Sequence, residues 1–385
     1  MLLKGTRFQP TTMGCAILLL SVMSICSAQE QDQSQTAANQ SWTSTSEQKS
    51  SAGNLNPTRS SRTHSEKNGR TVDTQSLQRL GPEGKYIPYG ETEKETVRVD
   101  AGTVRTVTRT FGTGPDGQKM LVQVTEEESR KLPGDEMRVV RTTSNPDING
   151  KLQVVQRELE NSKSRGPGVR ETNTTISTPD GNGVLSPSMQ ILERETRTGA
   201  GTIQFNKTTQ LQDGVGHWQV GEVKQGTIQG QEGQLRTKEE SVLRPDADGR
   251  LTVVERTVTK EDRISPEERR DTTETYSTDT PGVPRESTLR LSQRITTMTK
   301  SSAGGARTSE EKVEKPNPGS PSDGLRVTQK GIDIVRPGTG GAAVHSQTLV
   351  TLDSNGNPAA VWVDMGKSDQ PAAVTVDTGK SAKPQ

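Results

Sequence analysis

The sequence predicts an all-β protein built from tandem antiparallel hairpins of about 33 residues, forming an extended meander or a large open sheet. Three observations predict it. Gly117, Gly150, Gly183, Gly216, Gly249 and Gly282 recur every 33 residues. A second series of breakers interleaves at nearly the same period: Pro133-Gly134, Pro167-Gly168, Ala200-Gly201, Gly233 and Pro266. The segments between them, such as Leu251 to Thr259 and Thr103 to Thr108, are rich in β-branched residues. Two turns per period leave two segments of about 12 residues, which is one hairpin.

The first turn series has its own chemistry. Asp147-Ile148-Asn149-Gly150, Asp180-Gly181-Asn182-Gly183, Asp246-Ala247-Asp248-Gly249 and Asp353-Ser354-Asn355-Gly356 all read Asp-x-Asn/Asp-Gly. Pro146, Pro179 and Pro245 precede the first three. Such residues supply the positive φ that a tight hairpin demands at little steric cost. Two positions past the turn glycine stand Leu152, Leu185, Trp218 and Leu251; four past it stand Leu121, Val154, Val220 and Val253. These columns share a parity and so one face of the sheet, which the sequence assigns to a thin core. The opposite face is Thr, Arg, Glu, Gln and Lys.

Five segments follow. Lys4 and Arg7, an apolar stretch centred on Ala16 to Met23, and small residues at Ser27 and Ala28 describe a secretory signal peptide over 1–28. The alternative, acylation of Cys26, meets a poor fit in Ile25 just before it. Residues 29–95 lack alternating or helical apolar patterning and read as a disordered Gln/Ser/Thr-rich tether, with a small apolar cluster at Tyr86, Ile87, Pro88 and Tyr89 near its end. Residues 96–300 hold the regular hairpins and 301–366 divergent ones. The last segment, Ala360 to Val363, is the most apolar strand, and 367–385 form a flexible tail.

Composition narrows function. Hydrophobic residues make up 26% of the chain and aromatics 2%, too little for one thick core of several hundred residues. Both cysteines, Cys15 and Cys26, lie in the leader, so thiol chemistry and disulfides are excluded from the mature chain. Loss of Lys4 and Arg7 moves the formal charge from +1 to −1, a balance that excludes an electrostatic grip on nucleic acid or anionic lipid. A lipid-embedded barrel needs an apolar band on every strand and aromatic girdles at both interfaces, and this composition supplies neither.

No catalytic, cofactor-binding or metal-binding residue is assigned. The Asp-rich turns resemble half of a calcium loop, and Glu255 falls where the closing acid would stand after Gly249. The first-ligand position, however, is Arg244 there, Thr178 in the Gly183 repeat and Thr351 in the last; the Gly150 repeat has Asn145 there but Gln156 at the end. Turn chemistry explains the pattern better. His64, His217 and His345 lack metal-ligand spacing, and Trp218 fits the apolar column beside it. Glu126 to Glu128 and Glu239-Glu240 read as solvated strand faces. The sequence therefore predicts an exported, non-catalytic repeat protein, periplasmic, cell-surface or secreted, with a structural or binding role. Its expected partner is another envelope or extracellular protein or polymer, or a second copy, with no nucleic acid and no transmembrane segment in the mature chain. The alternative is a carbohydrate- or calcium-binding module using the Asp/Asn turns.

Overall fold

The computed structural model describes residues 41–368 apart from 51–57, 82, 115, 200, 231–234, 280–287, 318–319 and 338–342. The leader with Cys15 and Cys26, Gly282 and the tail beyond 368 lie outside the described residues.

Among the described residues twenty strands follow one another. They are β1 (Ser41–Ser50), β2 (Thr58–Lys67), β3 (Arg70–Leu80), β4 (Tyr86–Arg98), β5 (Thr103–Thr113), β6 (Lys119–Leu132) and β7 (Glu136–Pro146). Next come β8 (Leu152–Gly166), β9 (Val169–Pro179), β10 (Leu185–Arg197), β11 (Thr202–Gln212), β12 (Trp218–Gln229), β13 (Arg236–Pro245) and β14 (Leu251–Arg263). The last are β15 (Glu268–Ser277), β16 (Arg290–Ser301), β17 (Arg307–Asn317), β18 (Ser320–Pro337), β19 (Ala343–Leu352) and β20 (Pro358–Ser368).

Each strand pairs antiparallel with the next, the hairpin meander that the two breaker series imply. The first series turns the chain at one rim and the second at the other. At the first rim a five-residue loop repeats: Asp147 N donates to Lys151 O at 2.9 Å and Gly150 N to Asp147 O at 2.9 Å. The glycine closing the loop sits at positive φ, +77° at Gly150 and +78° at Gly183 and Gly249. A side chain there is strained, which is why glycine marks the period. The strand after this turn carries one extra residue against its partner, as between Thr143 and Ser144 opposite β8. Such bulges sharpen twist.

The regular array begins earlier than the sequence suggests. β1 to β3 and most of β4 fall inside 29–95, so the described part of that segment is strand, not tether. The signal was a turn rather than an apolar pattern. Lys67-Asn68-Gly69-Arg70 forms a two-residue hairpin with φ of +54° at Asn68 and +73° at Gly69, and the loop from Gly81 to Lys85 repeats the first-rim hydrogen bonds.

The ends of the meander also meet. β1 pairs with β20 from Ser44↔Ser368 to Ser50↔Trp362 while pairing with β2 on its other side. Every strand thus has two neighbours and the sheet returns on itself, which removes the unpaired edges that a long exposed sheet would present. Twenty strands about 4.8 Å apart, tilted about 35–45°, enclose a ring about 40 Å across between backbones.

The two faces differ in exposure. Along β6, Glu126, Glu128 and Arg130 are exposed while Thr125, Glu127 and Ser129 are half-covered. Along β14, Arg256, Lys260 and Asp262 are exposed while Glu255, Thr257, Thr259 and Glu261 are not. Side chains on a concave wall converge and cover one another, so the half-covered set lines the inside. Among the described residues the buried apolar side chains are Val124, Val223, Val242 and Val313, split between the faces. The sheet is held by its ladder of hydrogen bonds and cross-strand pairs.

Candidate functional site: a polar lumen and an asymmetric outer wall

The inner wall is threonine and charge. Cross-strand pairing sets Thr259 against Thr273, their hydroxyls 3.1 Å apart, and Thr125 against Thr143 at 3.4 Å. Arg141 stands between two carboxylates, 2.7 Å from Glu127 on one neighbouring strand and 2.7 Å from Glu158 on the other. Arg244 reaches Glu222 at 2.9 Å and Lys238 reaches Glu240 at 2.9 Å. Glu160, two residues along from Glu158, is held above the ordinary carboxylate range, first by burial and then by the Glu158 charge. A wall of hydroxyls and alternating charges gains nothing by excluding water, so the lumen is wet.

The outer wall changes along its height. The apolar columns do share one face, but it is the outer one, and they form no core. Leu152, Val154, Trp218, Leu251 and Val253 are 36–44% exposed. Parity set them together; it could not say which way the ring would curl. They lie one and two rows from the first rim. Pairing aligns Pro146 with Leu152, Phe111 with Leu121, Pro245 with Leu251 and Tyr276 with Leu291 on this face. Toward the second rim the same face is charged: Arg105, Arg130, Arg138, Lys163, Arg194 and Lys260.

The turn carboxylates are spoken for. Asp147 Oδ1 accepts from Asn149 N at 2.8 Å and Lys151 N at 2.9 Å, and Asp180, Asp213, Asp246 and Asp353 repeat the arrangement. These backbone bonds, Lys151 first and Asn149 next, hold the Asp147 carboxyl below its usual range. Glu255 lies down the inner wall opposite Val242 and Ser277, away from the turn. Among the described residues no three His, Cys, Asp or Glu gather to hold a metal. His64 meets Asp73 at 2.6 Å, His345 meets Asp333 at 2.8 Å, and His217 stands exposed 3.4 Å from Asp213. Glu126 and Glu239 pair with Arg105 at 3.5 Å and Arg256 at 2.8 Å.

No protein-family model and no curated protein matches the chain. Solved structures do match its fold. The siderophore receptor PirA from Pseudomonas aeruginosa aligns over 86% of this chain and 81% of its own, with a TM-score of 0.50 at 9% identity. PirA from Acinetobacter baumannii aligns over 87% and 81% (TM-score 0.48, 6% identity). The ferric enterobactin receptor PfeA of Pseudomonas aeruginosa does so over 87% and 81% (0.46, 6%). At such identities the likeness is one of fold. It nevertheless overturns the expectation of a structural or binding sheet, and its alternative of a carbohydrate- or calcium-binding turn module. The PirA structure that the chain matches is that of a siderophore receptor.

Proposed function

We infer that this chain is a channel element of a bacterial envelope, passing hydrophilic solutes through its water-filled lumen. The observation that carries the reading is the ring of pairings around a wall of threonines and ion pairs. The likeness to envelope receptors supports that location. The outer wall sets a limit. Charged residues on a lipid-facing barrel wall cost about 2–4 kcal/mol each at mid-bilayer, and this wall carries many, so most of the barrel stands in water.

Thiol accessibility tests the reading in a Cys15→Ser/Cys26→Ser background. Thr259→Cys faces the lumen and Lys260→Cys the outside. Small charged methanethiosulfonates should modify both, whereas a 5-kDa polyethylene glycol maleimide should react about tenfold more slowly at Thr259→Cys, because a ring this wide, lined by side chains, leaves about 25 Å of free bore. Equal rates with the large reagent, or a luminal thiol inert even to the small ones, would refute a solute channel.

A further inference from the structure

We propose that the rim bearing the Asp-x-Asn/Asp-Gly turns seats in a lipid surface through a belt of apolar side chains on the outer wall. The inference rests on the channel reading and says where the channel sits. Three features carry it.

The belt is long. From β5 to β16, Phe111, Leu152, Leu185, Trp218, Leu251 and Leu291 stand on the outer face in the rows nearest this rim, interrupted at Lys119, which lies over the Phe111 ring. A medium that surrounds the barrel covers this whole arc at once. A second copy stacked end to end leaves it bare, and one placed side by side covers only a shorter arc.

The belt is shallow. Two rows rise about 7 Å along the strands, which matches the 5–10 Å to which interfacial elements sink into a membrane and falls well short of the roughly 25 Å band of a spanning barrel.

The turn tips extend it. Ile148 is wholly exposed, Val215 is 77% exposed and Val184 60%, all at this rim. The opposite rim's outer rows hold Arg130, Arg138 and Lys163 instead. The turn aspartates already bond backbone N–H groups, and they set the preferred surface: a zwitterionic one, since anionic headgroups would be repelled.

The test uses the full chain with Trp42→Phe and Trp362→Phe, which leaves Trp218 as its one tryptophan, and phosphatidylcholine vesicles brominated near the headgroup or near the chain end. Vesicles should shift Trp218 emission to the blue. Headgroup-proximal bromine should quench it to roughly half or less, and chain-end bromine should quench little. Leu152→Gln with Leu251→Gln, sites already half-exposed, should keep the circular dichroism spectrum and weaken Trp218 quenching about tenfold in lipid concentration. Trp218 emission untouched by vesicles, even if the chain floats with them through another segment, overturns the proposal. So does unchanged quenching in the double variant, or a concentration-dependent blue shift without lipid, which would assign the belt to self-association. The thiol test is read on lipid-free protein, so the two readings fail separately.

Discussion

Gly226→Val is expected to cost about 3 kcal/mol or more, enough to prevent β12 and β13 from pairing in register. Gly226 lies mid-strand between Phe205 on β11 and Glu240 on β13. A Cβ built there would fall on the Glu239 carbonyl oxygen and 2.7 Å from the Phe205 ring tip. One of these obstacles is backbone, so a side-chain rotation cannot clear it. Gly117 and Gly150 differ: nothing stands within 4 Å of a Cβ there, and the penalty is one of positive φ alone. Urea unfolding followed by circular dichroism should place Gly226→Val far below wild type and Gly150→Ala only modestly below. A Gly226→Val protein as stable as wild type would mean that β12 and β13 do not approach this closely.

Arg141→Ala is expected to lower stability by about 2 kcal/mol at neutral pH, a figure already reduced because the Arg141 side chain is 37% exposed. Its removal leaves Glu127, Glu158 and the half-buried Glu160 facing one another across three strands without a cation. The pH dependence follows from Glu160. Its carboxyl titrates above the ordinary range, by burial first and by Glu158 next, so the folded state binds this proton more tightly than the unfolded chain. Lowering the pH protonates Glu160 and removes its share of the repulsion, and the deficit of Arg141→Ala should shrink from pH 7 toward pH 4. Thermal melts of both proteins across that range check it. A deficit that stays constant or grows in acid would assign Arg141 a packing role instead.

The hairpin architecture was legible in the sequence because a turn that requires positive φ strains every side chain and so selects glycine. The spacing from Gly117 to Gly249 therefore reported the turns directly. The N-terminal strands were not legible by the same rule, since β2 and β3 are Ser, Thr and Arg with little apolar alternation, and only Asn68-Gly69 betrayed them. The apolar columns were read correctly as one face and wrongly as the core. Pairing parity fixes which residues share a side, whereas the inside is decided by the direction in which the whole sheet curls. The sequence left closure open and set aside only lipid insertion, because the chain lacks a membrane-spanning apolar band. The two are separate matters: closure satisfies backbone donors and acceptors at every edge and leaves the outer wall free to be charged over most of its height. The candidate site shared this blindness. Nothing local in Thr125, Glu127 or Thr259 marks them as luminal until twenty strands are paired round.

The pairing of the first strand with the last is the central claim, and a cross-link tests it most directly. In the Cys15→Ser/Cys26→Ser background, Ser46→Cys and Gly366→Cys place thiols at directly paired positions of β1 and β20, 320 residues apart in sequence. Mild oxidation of dilute protein should give an intramolecular disulfide in most molecules, seen as a faster non-reduced band that reverts with reductant, because directly opposed strand residues lie within disulfide reach. Absence of that band, or dimers in its place, would show that β1 and β20 remain apart and that the sheet is open.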